Sequence, residues 1–250
     1  MKDVPRTKTN ALILAGGLGT RLRPITEHTP KCLVEVAGVP LLEYWMQALA
    51  AVGVGKVVVN THHLPDKVRA YLARVHERHD LDVGESYEPV LLGSAGTVTA
   101  NRALADGVDD VLLVYADNLS NVPLGRMLEF HRGHPEPMTM ALFHTDRPTA
   151  CGIASLDAAG RIVRFVEKPK EPESDLANAG IYIVTADAYR EIADMKAFDL
   201  GFDVLPKFVG RAMGFEHDGV HLDVGTLDAL ERAHGLAEAH FPERPRGVPA

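Results

Sequence analysis

The chain has 250 residues, of which 46% are hydrophobic and 24% charged, a balance that suits a folded globular protein with a sizeable core and excludes a disordered one. With 34 acidic and 26 basic residues the net charge is -8, which argues against a general nucleic-acid binder, since that class needs a basic surface. No apolar run approaches the ~18 residues of a membrane span, the first ten residues lack an apolar signal core, and the isolated cysteines Cys32 and Cys151 suggest a reducing, cytoplasmic setting without a disulfide framework.

Taken in order, residues 11–15 form a short buried strand that stops at Gly16 and Gly17. Residues 40–52 are amphipathic, with Leu41, Leu42, Trp45, Met46, Leu49 and Val52 near helical spacing, Pro40 suited to the first turn and Gly53 to the end. Residues 56–59 read as a strand, 65–75 as a helix, 81–87 as a strand, 95–105 as a helix and 110–114 as a strand. Short apolar strands between helices indicate βαβ units and a largely parallel sheet. Strands then follow at 138–143, 153–156, 162–167 and 179–184, with a hairpin turn at Asp157-Ala158-Ala159-Gly160. Helices are expected at 187–193, 202–210 and 226–239. The fold class expected is α/β, a Rossmann-like wound mixed sheet with a small mixed-sheet extension. Residues 1–10 and 241–250 are expected to be flexible termini around one domain, 11–240.

The sharpest local feature is Leu14-Ala15-Gly16-Gly17-Leu18-Gly19-Thr20-Arg21-Leu22-Arg23-Pro24. A strand runs into a loop where glycines let backbone N–H groups approach phosphate oxygens, and Arg21 adds a charged fork. No Lys-Ser or Lys-Thr follows, so it is not a P-loop. Leu22 stands where the third glycine of a dinucleotide fingerprint would be, which argues against a nicotinamide oxidoreductase. Asp117 falls at the carboxyl end of a buried strand, where ligands gather in wound sheets, and a carboxylate there suits Mg2+. The 12 histidines show no metal-ligand pattern; His131 and His134 are three apart without evident partners. No Gly-x-Ser-x-Gly motif supports a serine hydrolase.

Residues 16–24, then Thr26, then Pro30-Lys31, resemble the signature of the sugar-1-phosphate nucleotidylyltransferases, the nucleotide-sugar pyrophosphorylases, and the match continues over residues 11–235. The resemblance implies a nucleotide-diphospho-sugar transferase type of fold, with a nucleotide half over 11–135 and a sugar-phosphate half over 136–240. It implies that Leu14, Ala15, Gly16, Gly17, Gly19 and Thr20 hold the nucleotide, with Arg21 and Lys31 on the triphosphate. Gly93, Ser94, Ala95 and Gly96 would form the base loop; by itself Ser94 also reads as a helix cap. Asp117 and Asp223 would be the Mg2+ carboxylates, Lys168 would touch the sugar phosphate, and Asn118, Gly152, Glu167 and Asn178 would line the sugar. Arg21, Lys31, Asp117, Lys168 and Asp223 are the expected catalytic set. The family often has glycine before the first metal aspartate, where this chain has Ala116. Asp199 and Asp203 flank Gly201 and receive no chemistry; a cap role is expected for Asp199.

The implied partners are a nucleoside triphosphate and a sugar 1-phosphate, with no nucleic acid and no membrane; a homo-oligomer is left open. The stretches 93–96, 116–118 and 198–206 look most like the short guanylyltransferases acting on mannose or D-glycero-D-manno-heptose 1-phosphate. Uridylyl and thymidylyl transfer remain alternatives, as does a non-catalytic sugar-nucleotide-binding regulator. The sequence stops soon after the Asp223 motif, so a long hexapeptide-repeat domain is not expected.

Overall fold

A computed structural model describes residues 8–241. The chain forms β1 (Thr9–Leu14), β2 (Glu35–Val36), β3 (Val39–Pro40), α1 (Leu41–Ala51), β4 (Lys56–Thr61), α2 (Pro65–Arg78) and β5 (Asp82–Tyr87). It continues through α3 (Gly93–Ala100), β6 (Asp110–Tyr115), β7 (Asn118–Ser120), α4 (Leu124–Arg132), β8 (Met138–His144), β9 (Gly152–Leu156), β10 (Ile162–Glu167) and β11 (Leu176–Thr185). It closes with α5 (Ala186–Asp194), β12 (Ala212–Glu216), β13 (His221–Asp223) and α6 (Leu227–His240).

Among the described residues nine strands share one sheet, in the order β10-β9-β11-β6-β1-β4-β5, with β8 on β11 and β12 on β8. The pairs β1–β4, β4–β5 and β1–β6 are parallel; β11 is antiparallel to β6 and to β8. This is the expected wound mixed sheet, and it runs unbroken across residue 135. The central strand shows why β1 reads as a continuous apolar run. Leu12 and Leu14 face one core with α3 and α5, while Ala11 and Ile13 face a second core with α1, α2 and α4. A third cluster joins α6 to the β2–β3 ribbon through Leu230, Ala233, Val36 and Val39. The chain winds outward from β1 to β4 and β5 on one side and reaches β6 on the other. The carboxyl ends of β1 and β6 therefore border a crevice at the point where the winding reverses, where wound sheets bind ligands.

Several elements differ from the sequence reading. β1 begins at Thr9, inside the segment assigned to a loose N-terminus; residues 1–7 lie outside the described residues, as do 242–250 of the proposed tail. The helix expected over 95–105 ends at Ala100, where Asn101 turns its side chain back to Thr97 O at 2.9 Å, and a 3-10 turn, Arg102–Ala105, follows. The helix expected over 202–210 is instead a single π turn, Leu200–Val204, and a 3-10 turn, Leu205–Phe208. Pro206 has no N–H to donate inside the expected helix, Asp199 caps only the short π turn by accepting from Phe202 N, and the Asp203 carboxylate folds back onto Phe198 N and Asp199 N. The sequence reading does not contain α4, β12 or the pair β7–β13.

One buried ion pair fastens the sheet to α4. Asp110, at the start of β6, accepts from Arg132 Nε at 3.1 Å and sits 3.5 Å from His131 Nε2. Burial alone would raise its pKa, but His131 and Arg132 outweigh it and hold the carboxyl below the usual carboxylate range. A depressed folded pKa contributes stability that is complete above the unfolded value of ~3.9 and is lost as pH falls through the folded one. Asp110→Asn is expected to cost about 2 kcal/mol at neutral pH. Urea melts should show the gap to the parent protein closing below about pH 4; a gap constant down to acid pH would refute the pairing as its source.

Candidate active site

After Leu14 the chain leaves β1, and the N–H groups of Ala15 and Gly16 both donate to Asn60 Oδ1, at 2.5 and 3.1 Å. These two N–H groups are thus already taken, a constraint the sequence reading did not contain. A Cβ on Gly16 would lie 2.7 Å from Asn60 Nδ2, so no larger residue fits there without a shift. Asn60 Nδ2 in turn donates to Glu88 Oε1 at 3.0 Å, as does Thr97 Oγ1 at 2.5 Å, while Leu92 N donates to Glu88 Oε2 at 3.1 Å. Glu88 is 2% exposed. One buried polar hub therefore braces the glycine loop against the start of α3. Gly17, Gly19, Thr20, Arg21, Lys31 and Asp117 line a cavity of about 350 Å³ in front of it.

The loop of Gly93, Ser94, Ala95 and Gly96 opens α3. Ser94 does not cap the helix; its Oγ accepts from Leu200 N at 2.8 Å and lies 3.3 Å from Asp199 Oδ2, and Ala95 N donates to Phe198 O at 3.1 Å. The loop is thereby bonded to residues 198–200. Gly93 has φ +76°, and a Cβ there would stand 2.2 Å from Phe198 O. Gly93→Ala is expected to lower stability by about 2–4 kcal/mol, because a left-handed backbone and a backbone clash combine. A melting temperature within a degree of the parent would refute it.

The charged centre is assembled by β7 and β13. Their antiparallel register sets Asp223 opposite Asn118, and Val224 N donates to Asp117 O at 2.9 Å. Asp117 and Asp223 so converge on one ammonium: Lys31 Nζ lies 2.6 Å from Asp117 Oδ2 and 3.1 Å from Asp223 Oδ1. Burial would lower the Lys31 pKa, but the two carboxylates outweigh it and hold it above the ordinary lysine value. Arg21 Nη2 stands 3.6 Å from Asp223 Oδ2. Trp45, fully buried in α1, steadies the neighbouring strand by donating from Nε1 to Asn118 O at 3.0 Å.

A larger cavity of about 1030 Å³ opens on the other side. It shares Arg21, Asp117 and Gly225 with the smaller one, so the two meet at the charged centre. Asn118, Gly152, Glu167, Lys168 and Asn178 all line it. Asn118 commits its amide to Ala179 O at 3.2 Å, and Asn178 uses Nδ2 on Tyr182 Oη and Oδ1 on Gly180 N. Lys168, just after β10, sits in the left-handed backbone region at φ +48°, a costly conformation for a side-chain-bearing residue that clusters at functional sites. Its Nζ is 3.9 Å from Glu167 Oε1. Burial, reinforced by the charge of Asp199 against the relief from Lys168, raises the Glu167 pKa.

Other candidates are structural. His131 and His134 do have partners, both sharing hydrogen bonds with Thr139 Oγ1 at 2.8 Å. Cys32 and Cys151 are free, and burial pushes the Cys32 thiol up to about 12. Asp199 caps the π turn by accepting from Phe202 N at 2.9 Å. Among the described residues no group of three or more His, Cys, Asp and Glu converges as a metal site, and no helix is long and apolar enough to cross a membrane. Asp117 and Asp223 are the pair whose hard oxygens already close on a single cation, the donor set that Mg2+ takes when phosphate oxygens and water complete its shell.

Comparison with known proteins agrees with this geometry. The chain is 34% identical over 221 residues to mannose-1-phosphate guanylyltransferase 1 of Arabidopsis thaliana, covering 86% of this chain and 61% of that one. It is 32% identical over 220 residues to the mannose-1-phosphate guanyltransferase of Emericella nidulans, covering 86% and 60%. The chain thus spans about 60% of the length of these curated relatives. A Bacillus anthracis chain provisionally assigned as a glucose-1-phosphate thymidylyltransferase, solved in complex with a sucrose, superposes with a TM-score of 0.83 at 25% identity, covering 92% of this chain and 95% of that one. Residues 10–239 match the family model described as nucleotidyl transferase, and with a glycine loop, two carboxylates and two cations meeting between two cavities, the chain belongs to that family.

Proposed function

We propose that this chain transfers a nucleotidyl group from a nucleoside triphosphate to a sugar 1-phosphate, releasing pyrophosphate and a nucleotide-sugar. The observation that carries the reading is the junction at Arg21 and Asp117 of a small cavity against the glycine loop and a large one lined by Glu167, Lys168 and Asn178. The triphosphate fits the first and the sugar the second, which brings the sugar phosphate to the α-phosphorus. A phosphate oxygen attacks phosphorus, the bond to the bridging oxygen of pyrophosphate breaks in line, and the attacking oxygen is already ionised near neutral pH. No proton needs to move, so the protein positions and neutralises charge. Arg21 and Lys31 face the triphosphate, and Lys168 is set to hold the sugar phosphate. Asp117 and Asp223 would hold Mg2+, which supplies further neutralisation of phosphate oxygens when bound.

The preferred finer reading is guanylyl transfer to a manno-configured hexose or heptose 1-phosphate, supported by the names of the Arabidopsis and Emericella relatives. Thymidylyl transfer is the second reading, supported by the Bacillus anthracis neighbour. A reducing, cytoplasmic setting is supported by the two free cysteines. The test is pyrophosphate release with Mg2+, crossing the common nucleoside triphosphates with a panel of hexose and heptose 1-phosphates. Release that needs one of each names both substrates. Nucleotide binding without release across the panel would favour a non-catalytic regulator instead.

A further inference from the structure

Glu167 is a charge without a donor. Its side chain is 15% exposed, it borders the large cavity, and among the described residues its carboxylate accepts no hydrogen bond; its one ion pair is the 3.9 Å approach of Lys168. It is wedged between two glycines: a Cβ on Gly152 would lie 2.5 Å from Glu167 Oε2, and one on Gly201 2.8 Å from the same atom. The Gly201 position is also 3.2 Å from Asp199 Oδ1, so the oxygens of the two carboxylates stand within about 6 Å of each other. Asp199 lines the same cavity. It is held from several sides: its Oδ1 accepts from Phe202 N, its Oδ2 meets Ser94 Oγ at 3.3 Å, and its own N–H donates to Asp203 Oδ2 at 2.9 Å. Each carboxylate offers acceptors only, and each keeps lone pairs that no protein donor fills.

We infer that Asp199 is a sugar-reading residue, and that with Glu167 it forms a two-carboxylate clamp for neighbouring hydroxyls of one sugar ring. The inference rests on the nucleotidyl-transfer reading and narrows its substrate class to neutral aldose 1-phosphates whose hydroxyls on that edge are free. Hydroxyls satisfy the acceptors; a carboxylate on the sugar would meet two like charges, and a missing hydroxyl would leave a half-buried carboxylate unpaired. The bond from Ser94 to residues 199–200 places this clamp on the loop that also carries the base site, so the sugar wall is positioned by the nucleotide loop.

The test compares the parent protein, Asp199→Asn and Ser94→Ala on a hexose 1-phosphate, its monodeoxy analogues and the corresponding uronic acid 1-phosphate, with the triphosphate saturating. Asparagine keeps the capping oxygen for Phe202 N and removes the charge. In the parent, at least one monodeoxy analogue should lose ~10–100-fold in kcat/KM, and the uronic acid should be turned over far more slowly than the hexose. Asp199→Asn should raise the hexose 1-phosphate KM about tenfold, shrink the penalty of that same analogue, and narrow the gap to the uronic acid. Ser94→Ala, which keeps both carboxylates but removes the bonds to Asp199 Oδ2 and Leu200 N, should shift the ranking in the same direction as Asp199→Asn and to a smaller extent. Turnover in which Asp199→Asn leaves the ranking untouched would overturn the clamp alone. Absence of turnover by the parent with every sugar phosphate would overturn the nucleotidyl-transfer reading, and the clamp with it.

Discussion

Asp117→Asn is expected to lower kcat by ~10²–10³-fold while changing the KM for the triphosphate by less than about threefold. In the proposed transfer, charge on the phosphate oxygens is greatest as the α-phosphorus passes from pyrophosphate to the sugar phosphate, so a group that holds compensating charge there acts on rate more than on binding. Asp117 has two such duties. Its Oδ2 fixes Lys31 Nζ at 2.6 Å, and it is one of the two carboxylates fitted to a divalent cation. Asparagine preserves the shape and the backbone bond from Val224 N to Asp117 O, so the β7–β13 pair should persist. The Asp117 side chain is 34% exposed and Asp223 still pairs the buried Lys31 at 3.1 Å, so the stability change should stay at about 1–2 kcal/mol. Single-turnover pyrophosphate release at saturating substrates is the measurement. Turnover within threefold of the parent with Mg2+ present would remove Asp117 from the reacting centre.

How far the site could be read from the sequence depended on the kind of signal each part leaves. The wound core was legible because β1, β4 and β6 are buried on both faces and so are continuous apolar runs between amphipathic helices. The glycine loop was legible because closely spaced glycines with an arginine and a Pro-Lys at fixed offsets have few other uses. The pair β7–β13 was not. Each strand has only three residues, with polar ones at Asn118, Ser120, His221 and Asp223, and the partners lie about a hundred residues apart. No periodicity survives in so short a segment, although this pair is what carries Asp223 to Asp117. The hub at Asn60 and Glu88 was equally silent, since a buried amide and carboxylate look like surface residues until the donors around them are known. Asn60 follows the run Val57–Val59 and Glu88 follows Tyr87 where polar residues are ordinary. The 202–210 segment failed for a different reason: its apolar spacing suits a helix, but Pro206 withholds a donor inside it and the Asp203 carboxylate folds back onto Phe198 N and Asp199 N.

Lys31→Met should affect two ligands in opposite directions. The cluster of Arg21, Lys31, Asp117 and Asp223 has a formal charge of zero, and losing the ammonium leaves it at minus one with only Arg21, at 3.6 Å from Asp223, to offset the carboxylates. In the proposed reaction a triphosphate would then meet repulsion in place of a cation, and kcat/KM for it is expected to fall ~10²–10³-fold. A divalent cation meets the reverse: the ammonium that closed both carboxylates is gone, so Mn2+ or Mg2+ binding to the free protein should tighten. The Lys31 side chain is 9% exposed and its stem is packed, which methionine reproduces, so the fold should hold with a loss of about 1–2 kcal/mol. Arginine is not a conservative replacement at this position. Its planar fork is larger than an ammonium held 2.6 and 3.1 Å from two carboxylate oxygens, and Lys31→Arg should restore little of the rate. A lysine that served packing alone would lower the melting temperature on replacement and leave both affinities where they were. Calorimetric titration of the free variant with Mn2+, set beside its triphosphate kinetics, separates the two roles. Weaker triphosphate use together with tighter metal binding is the expected pair of results, and a loss of both would mean that Lys31 helps to build the carboxylate pair rather than compete for it.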